Sequence, residues 1–145
     1  TFSKAWGLAG LRLGMAFAST VVIGIMNKVK APYNISQSTQ DLALEALKNI
    51  SVVNEWIKLT VADREQLIAD LAALPFVKKV YPSDANFVLA EVEDATGTYN
   101  NLVAKGIIIR DRSKVTLCEG CLRITVGTPQ ENEILLTTLK SFTNS

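Results

Sequence analysis

The stretch Thr1-Phe2-Ser3-Lys4-Ala5-Trp6-Gly7-Leu8-Ala9-Gly10-Leu11-Arg12-Leu13-Gly14 decides how the chain is to be read. It sets one lysine among small and aromatic residues, places glycines at 7, 10 and 14, and returns to a cation at Arg12. No initiator methionine precedes it, so the opening reads as a cut through something larger.

Working outward, 145 residues suit one domain, or one domain with an attached arm. A chain of that size can bury roughly 68–70% of its unfolded surface, enough for a core. Charged residues are 20% of the total and the net charge is +1, which gives no reason to expect nucleic acid or an acidic partner. The absence of histidine excludes a Ser-His-Asp triad, a Cys-His dyad and any His-ligated metal within this chain. Cys118 and Cys121 form a C-x-x-C pair that lacks the other two ligands of a zinc site. A thioredoxin-like motif would open a helix, whereas this one runs into CLRITVG, a strand pattern. Two reduced thiols are therefore the preferred reading. Residues 7–26 are rather apolar, but Arg12 and four glycines interrupt them, so no membrane or export role is expected.

Leu13–Ser19 reads as a short buried strand. STVVIGIMNKVK follows as a helix, with Ser19 or Thr20 at its cap and lysines in its last turn. Ala31-Pro32-Tyr33-Asn34 is a break. A second helix spans about Ser36–Lys48, with Ala43, Ala46, Leu47 and Ile50 on one face. A third spans about Val52–Leu74 and stops at Pro75; Val53, Ile57, Val61, Ile68 and Leu71 share near-helical spacing. VKKVYP, NFVLAEV, GIIIRD and CLRITVG are β-type runs, interrupted by helices near 95–105 and 129–142. Thr128-Pro129-Gln130-Glu131 is a helix start with cap, proline and capping glutamate. The fold class is α/β: an α+β lobe with a small sheet covered by helices on one face.

Three groups of residues could carry chemistry. In CLRITVG, Leu122, Ile124 and Val126 point one way and Cys121, Arg123 and Thr125 the other. Arg123 then lies on a solvated face or aims a planar, two-pronged guanidinium at a carboxylate or phosphate. Arg110, ending an apolar run, belongs to a charged turn or reaches into a cleft. Lys4 and Arg12 are the stronger pair. A desolvated lysine with a lowered pKa forms an imine with an aldehyde, Ser3 supplies a hydroxyl, and Arg12 can return as a fixed cation. That set suits a phosphorylated aldehyde such as pyridoxal phosphate. An exposed lysine accounts for the spacing equally well.

The opening run resembles the cofactor-lysine segment of fold-type I pyridoxal-phosphate aminotransferases. Ala31-Pro32-Tyr33-Asn34, Gly106-Ile107-Ile108-Ile109-Arg110-Asp111 and Cys121-Leu122-Arg123-Ile124-Thr125-Val126-Gly127-Thr128 resemble the histidinol-phosphate branch of that family. The likeness runs along essentially the whole chain. Parts of the later motifs are shared with other amino-acid aminotransferases.

The resemblance implies that residues 1–35 are the tail of a large cofactor-binding domain and 36–145 a small C-terminal domain. It implies that Lys4 holds pyridoxal 5'-phosphate as a covalent aldimine and moves the proton at the substrate's α-carbon. Ser3 and Arg12 would hold the cofactor phosphate, Arg123 the carboxylate of glutamate or 2-oxoglutarate, and Arg110 the phosphate of histidinol phosphate. Asn86 matches a recurrent family position and is given a structural role. The implied reaction is ping-pong transfer of an amino group from glutamate to imidazole-acetol phosphate, in histidine biosynthesis, by a cytoplasmic homodimer. Its ring-stacking and ring-pairing residues would lie upstream, so the chain alone is expected to be inactive and to hold the cofactor weakly. Apolar surface around residues 5–26 is expected to be exposed. The alternatives are another fold-type I aminotransferase, acting on aromatic or other amino acids, and a non-catalytic α+β binding module.

Overall fold

The computed structural model describes residues 2–142; Thr1 of the opening motif lies outside the described residues. The chain divides into two compact units, one up to Ile57 and one from Lys58. The division falls inside a long helix.

The first unit holds a short 3-10 turn (Ala9–Leu11), α1 (Thr20–Val29), α2 (Gln37–Leu47) and the start of α3 (Ile50–Ala72). Side chains at the helix entries explain where α1 and α2 begin. Ser19 accepts from the Val22 N–H at 3.5 Å, and Ser36 accepts from the Thr39 N–H at 3.1 Å. Each bond satisfies a donor that the first helical turn leaves without a partner.

Leu13–Ser19 corrects the sequence reading. It forms no strand, and Phe17 is 90% exposed. A strand needs a neighbour for its N–H and C=O groups, and every strand among the described residues lies in the second unit. The face expected on α2 is also mostly outside: Ala43 is buried, whereas Leu47 and Ile50 are exposed. Ile57 and Val61 of α3 are exposed too, while Val53 and Leu71 are buried and Ile68 is half-buried. Met15, Phe17, Val21, Val22, Ile25 and Met26 are exposed, as expected for the apolar surface of this region.

The second unit is a four-stranded antiparallel sheet with order β1-β2-β4-β3. The strands are β1 (Val77–Tyr81), β2 (Phe87–Val92), β3 (Arg110–Asp111) and β4 (Cys121–Thr125). Helix α4 (Ala95–Ala104) links β2 to β3, and β4 returns between them. The GIII run forms no strand; β3 is only Arg110–Asp111, the two residues that find partners in Arg123 and Leu122. Strand β2 shows why one face is core. Val88, Ala90 and Val92 are buried, and the residues between them are half-buried. Val88, Val92, Leu122 and Ile124 pack with Leu67 and Leu71 of α3, Leu102 of α4, and Leu135 and Leu139 of α5 (Pro129–Ser141).

Helix α5 begins as its sequence predicts. Thr128 Oγ1 accepts from the Glu131 N–H, and the Glu131 carboxylate accepts from the Thr128 N–H at 2.8 Å. The Thr128 N–H and then its hydroxyl hold the Glu131 carboxyl below its ordinary pKa. Gly127 is tied to the same helix through Asn132, which accepts from its N–H and donates to its carbonyl.

Removing core volume should therefore cost more than removing a cap. Leu122→Ala is expected to lower stability by about 2–5 kcal/mol, and Thr128→Ala by about 1 kcal/mol. Urea unfolding followed by circular dichroism checks both the sizes and their order.

Candidate functional site

The opening motif folds into a closed loop. The Phe2 N–H donates to the Leu13 carbonyl at 3.4 Å, and the Leu8 N–H donates to the Phe2 carbonyl at 3.0 Å. Phe2 is buried and meets Trp6 edge-on, with ring centroids 5.7 Å apart. Lys4 starts a tight turn in which its carbonyl accepts from the Gly7 N–H at 2.9 Å. Gly7 has φ +64°, a conformation that strains any residue with a Cβ.

Arg12 closes the 3-10 turn in the left-handed region, with φ 53°. That is uncommon outside glycine, asparagine and aspartate. Its Nη1 donates to the Ala9 carbonyl at 3.2 Å, and the guanidinium carries further N–H donors. Ser3 and Arg12 each sit one residue inside the Phe2–Leu13 bond. Lys4 is exposed and Ser3 half-buried. One loop thus carries a reachable primary amine, a hydroxyl and a guanidinium. That donor set fits pyridoxal phosphate: the amine for its aldehyde, the other two for its phosphate.

In the second unit, Arg110 and Arg123 stand directly opposite each other on β3 and β4. They line a cavity of about 650 Å³ together with Arg112 and Lys114. Like charges in direct cross-strand register are destabilising. Asp111 is the only carboxylate on the cavity wall, and it is already engaged. It accepts from the Ser113 N–H at 2.8 Å, from the Ser113 hydroxyl, and from Thr96 at 3.4 Å. Arg123 is half-buried, its guanidinium carbon lies 5.0 Å from the centre of the Phe87 ring, and its buried Nε has no hydrogen-bond partner. The aromatic face orients the guanidinium. Two guanidinium groups so placed can bind a carboxylate or phosphate.

Arg112 and Lys114 as cavity walls, and Phe87 as a support, were not picked out from sequence. Alternation within NFVLAEV puts Phe87 on the non-core face. The pairing of Phe87 with Thr125 and of Leu89 with Arg123, which brings that ring to the arginine, is a tertiary fact. Asn86 does serve the backbone, its carbonyl accepting from the Val126 N–H at 3.0 Å.

Residues 1–139 match the family model described as aminotransferase class I and II. The chain belongs to that family. Among its aminotransferase relatives, the histidinol-phosphate aminotransferase of Flavobacterium psychrophilum is 50% identical over 141 residues, covering 97% of this chain and 40% of the relative. A histidinol-phosphate aminotransferase structure from Clostridium acetobutylicum superposes with a TM-score of 0.90 at 24% identity, over 99% of this chain and 44% of that one, a likeness of fold. The histidinol-phosphate aminotransferase of Sinorhizobium meliloti, solved with pyridoxal-5'-phosphate, gives 0.79 at 25% identity over 98% and 40%. The chain spans about two-fifths of the length of the curated relatives it matches.

Within this aminotransferase chain, then, Ser3, Lys4 and Arg12 share one loop, and Arg110 and Arg123 share one strand pair. The Ser113 hydroxyl and N–H, followed by Thr96 and the Lys114 charge, hold the Asp111 carboxyl below the ordinary aspartate range. A carboxylate with a lowered folded pKa stabilises the fold above its unfolded pKa and loses that effect as pH falls through the folded value. NMR titration of Asp111 should give a midpoint below that of ordinary aspartate, and Ser113→Ala should move it upward.

Proposed function

We propose that this chain is the part of a histidinol-phosphate aminotransferase that carries the cofactor lysine and the substrate arginines. In this reading the enzyme transfers an amino group from glutamate to imidazole-acetol phosphate, works in the cytoplasm as a homodimer, and contributes to histidine synthesis. Residues 1–35 belong to its large domain and 36–145 to its small one. The observation that carries the reading is the opposed pair Arg110 and Arg123, two cations in register with no carboxylate free to neutralise them. The names of the relatives at about 50% identity support the same substrate.

Pyridoxal phosphate, when bound, supplies an electron-withdrawing ring that makes the substrate's α-proton removable. Lys4 takes that proton as a general base and returns one as a general acid. Ser3 and Arg12 bind the cofactor's phosphate, the serine by hydrogen bond and the arginine by charge. Arg123, steadied on Phe87, binds the carboxylate of glutamate and of 2-oxoglutarate. Arg110 binds the phosphate of histidinol phosphate. Two substrates with different anionic ends must use one site in turn, and two arginines side by side meet that demand. The chain spans about two-fifths of the length of its relatives, and by itself it is expected to be inactive.

Two measurements test this. Mixing the chain with pyridoxal phosphate, reducing with borohydride and mapping the labelled lysine should give Lys4 above Lys28, Lys58 and Lys105; even labelling of all four would count against a formed loop. In the enzyme that contains this chain, Arg110→Ala should lower kcat/KM for histidinol phosphate roughly 10- to 100-fold and spare the glutamate half-reaction. Unchanged turnover of histidinol phosphate would favour an aminotransferase for another amino acid.

A further inference from the structure

The C-x-x-C pair takes no part in the proposed transamination, yet its surroundings are built with care. The connection from β3 to β4 is a run of three tight turns. They are closed by N–H to carbonyl bonds from Val115 to Arg112, from Cys118 to Val115 and from Cys121 to Cys118, at 2.8, 2.9 and 3.0 Å. The last of these has a cysteine at each end. Gly120 takes its third position with φ +69°, the conformation that a type II turn demands there. The turn is also pinned from both sides. The Gly120 carbonyl accepts from the Val92 N–H at 2.9 Å, and the Cys121 carbonyl accepts from the Arg112 N–H at 2.8 Å.

The two ends of a β-turn lie within about 7 Å between α-carbons, and disulfides span about 4.4–6.8 Å. The two cysteines are free thiols of unequal access: Cys118 is half-buried and Cys121 fully buried. We infer that Cys118 and Cys121 form a reversible thiol–disulfide site, closed by exchange with a low-molecular-weight disulfide and opened by a thiol.

Access sets the order of events. The Cys118 thiolate attacks one sulfur of the small disulfide, whose S–S bond breaks; one half departs as a thiolate and takes up a proton. Cys118 is then a mixed disulfide. Cys121 loses its proton to solvent and its sulfur attacks the Cys118 sulfur, expelling the second small thiol. Two protein thiols have been oxidised by two electrons, and one small disulfide has been reduced to two thiols. Burial, followed by the neighbouring Cys118, Glu91 and Glu119, pushes the Cys121 thiol up, which keeps it protonated until its partner is activated. Its Sγ, 3.7 Å from the Glu119 carbonyl, is held back within the turn meanwhile. The turn joins the strands that carry Arg110 and Arg123, so the cross-link would close beside the cationic cavity.

The test uses the whole chain with oxidised glutathione, then alkylation and mass mapping, under native conditions and in urea. Natively, alkylatable thiols should fall from two to none, with a Cys118–Cys121 bridge and no lasting glutathione adduct. The native equilibrium constant for closure should exceed that of the unfolded chain by at least about tenfold, because the turn pre-pays the approach of the sulfurs. Cys121→Ser should stop at glutathione on Cys118, and Cys118→Ser should stay unmodified. A stable adduct on wild-type Cys118, two alkylatable thiols, or equal closure in the native and unfolded chain would each overturn the inference. The readout is thiol chemistry alone and needs no cofactor or substrate, so its failure and that of the aminotransferase reading are separate results.

Discussion

The antiparallel pairing of Phe87–Val92 with Cys121–Thr125 is the contact on which the second unit depends. Its register puts Val88 opposite Ile124 and Ala90 opposite Leu122, and all four side chains are buried. The same register puts Leu89 opposite Arg123 on the other face. One set of hydrogen bonds therefore fixes the core and the position of Arg123 together. A slip of one residue would turn Leu122 and Ile124 outward and drive Arg123 into the core, so a stable core also preserves the position of Arg123.

The cavity shows how that stability is used. Arg110 and Arg123 would repel each other as a bare pair, and a two-residue edge strand is a small structure to hold one of them. What holds it is local: Asp111 is anchored by Ser113 and Thr96, and the Arg112 N–H is anchored by Cys121. The carboxylate that could have neutralised the arginines is spent on the loop. The positive charge of the pair is left over, in a place where Phe87 limits the freedom of the Arg123 guanidinium. The lysine loop follows the same logic on a smaller scale. Its backbone bonds and the buried Phe2 supply the rigidity, and Lys4 is left exposed.

Membership of the aminotransferase class I and II family accounts for features that the chain alone leaves unexplained. The apolar residues exposed on α1 and in Leu13–Ser19 are costly on a surface. The Lys4 loop and the Arg110–Arg123 pair belong to different units. Both facts accord with a chain that spans about two-fifths of its relatives. Among the described residues, no helix is long and apolar enough to cross a membrane, although residues 7–26 are rather apolar.

The amino-acid sequence by itself determined whatever rests on contacts between near neighbours. Ser19, Ser36 and the Thr128–Glu131 box start their helices because each cap reaches a donor only three residues away. The alternation of β2 was readable for the same reason: its period is a local property. Tertiary structure decided the rest. Leu13–Ser19 had the composition of a strand and found no partner. Cys121, which alternates onto the face of Arg123 and Thr125, is buried. That Arg110 and Arg123 stand opposite each other was likewise set by strand pairing. Strand register joins residues far apart in the chain, and no short-range pattern contains the free energy that selects it.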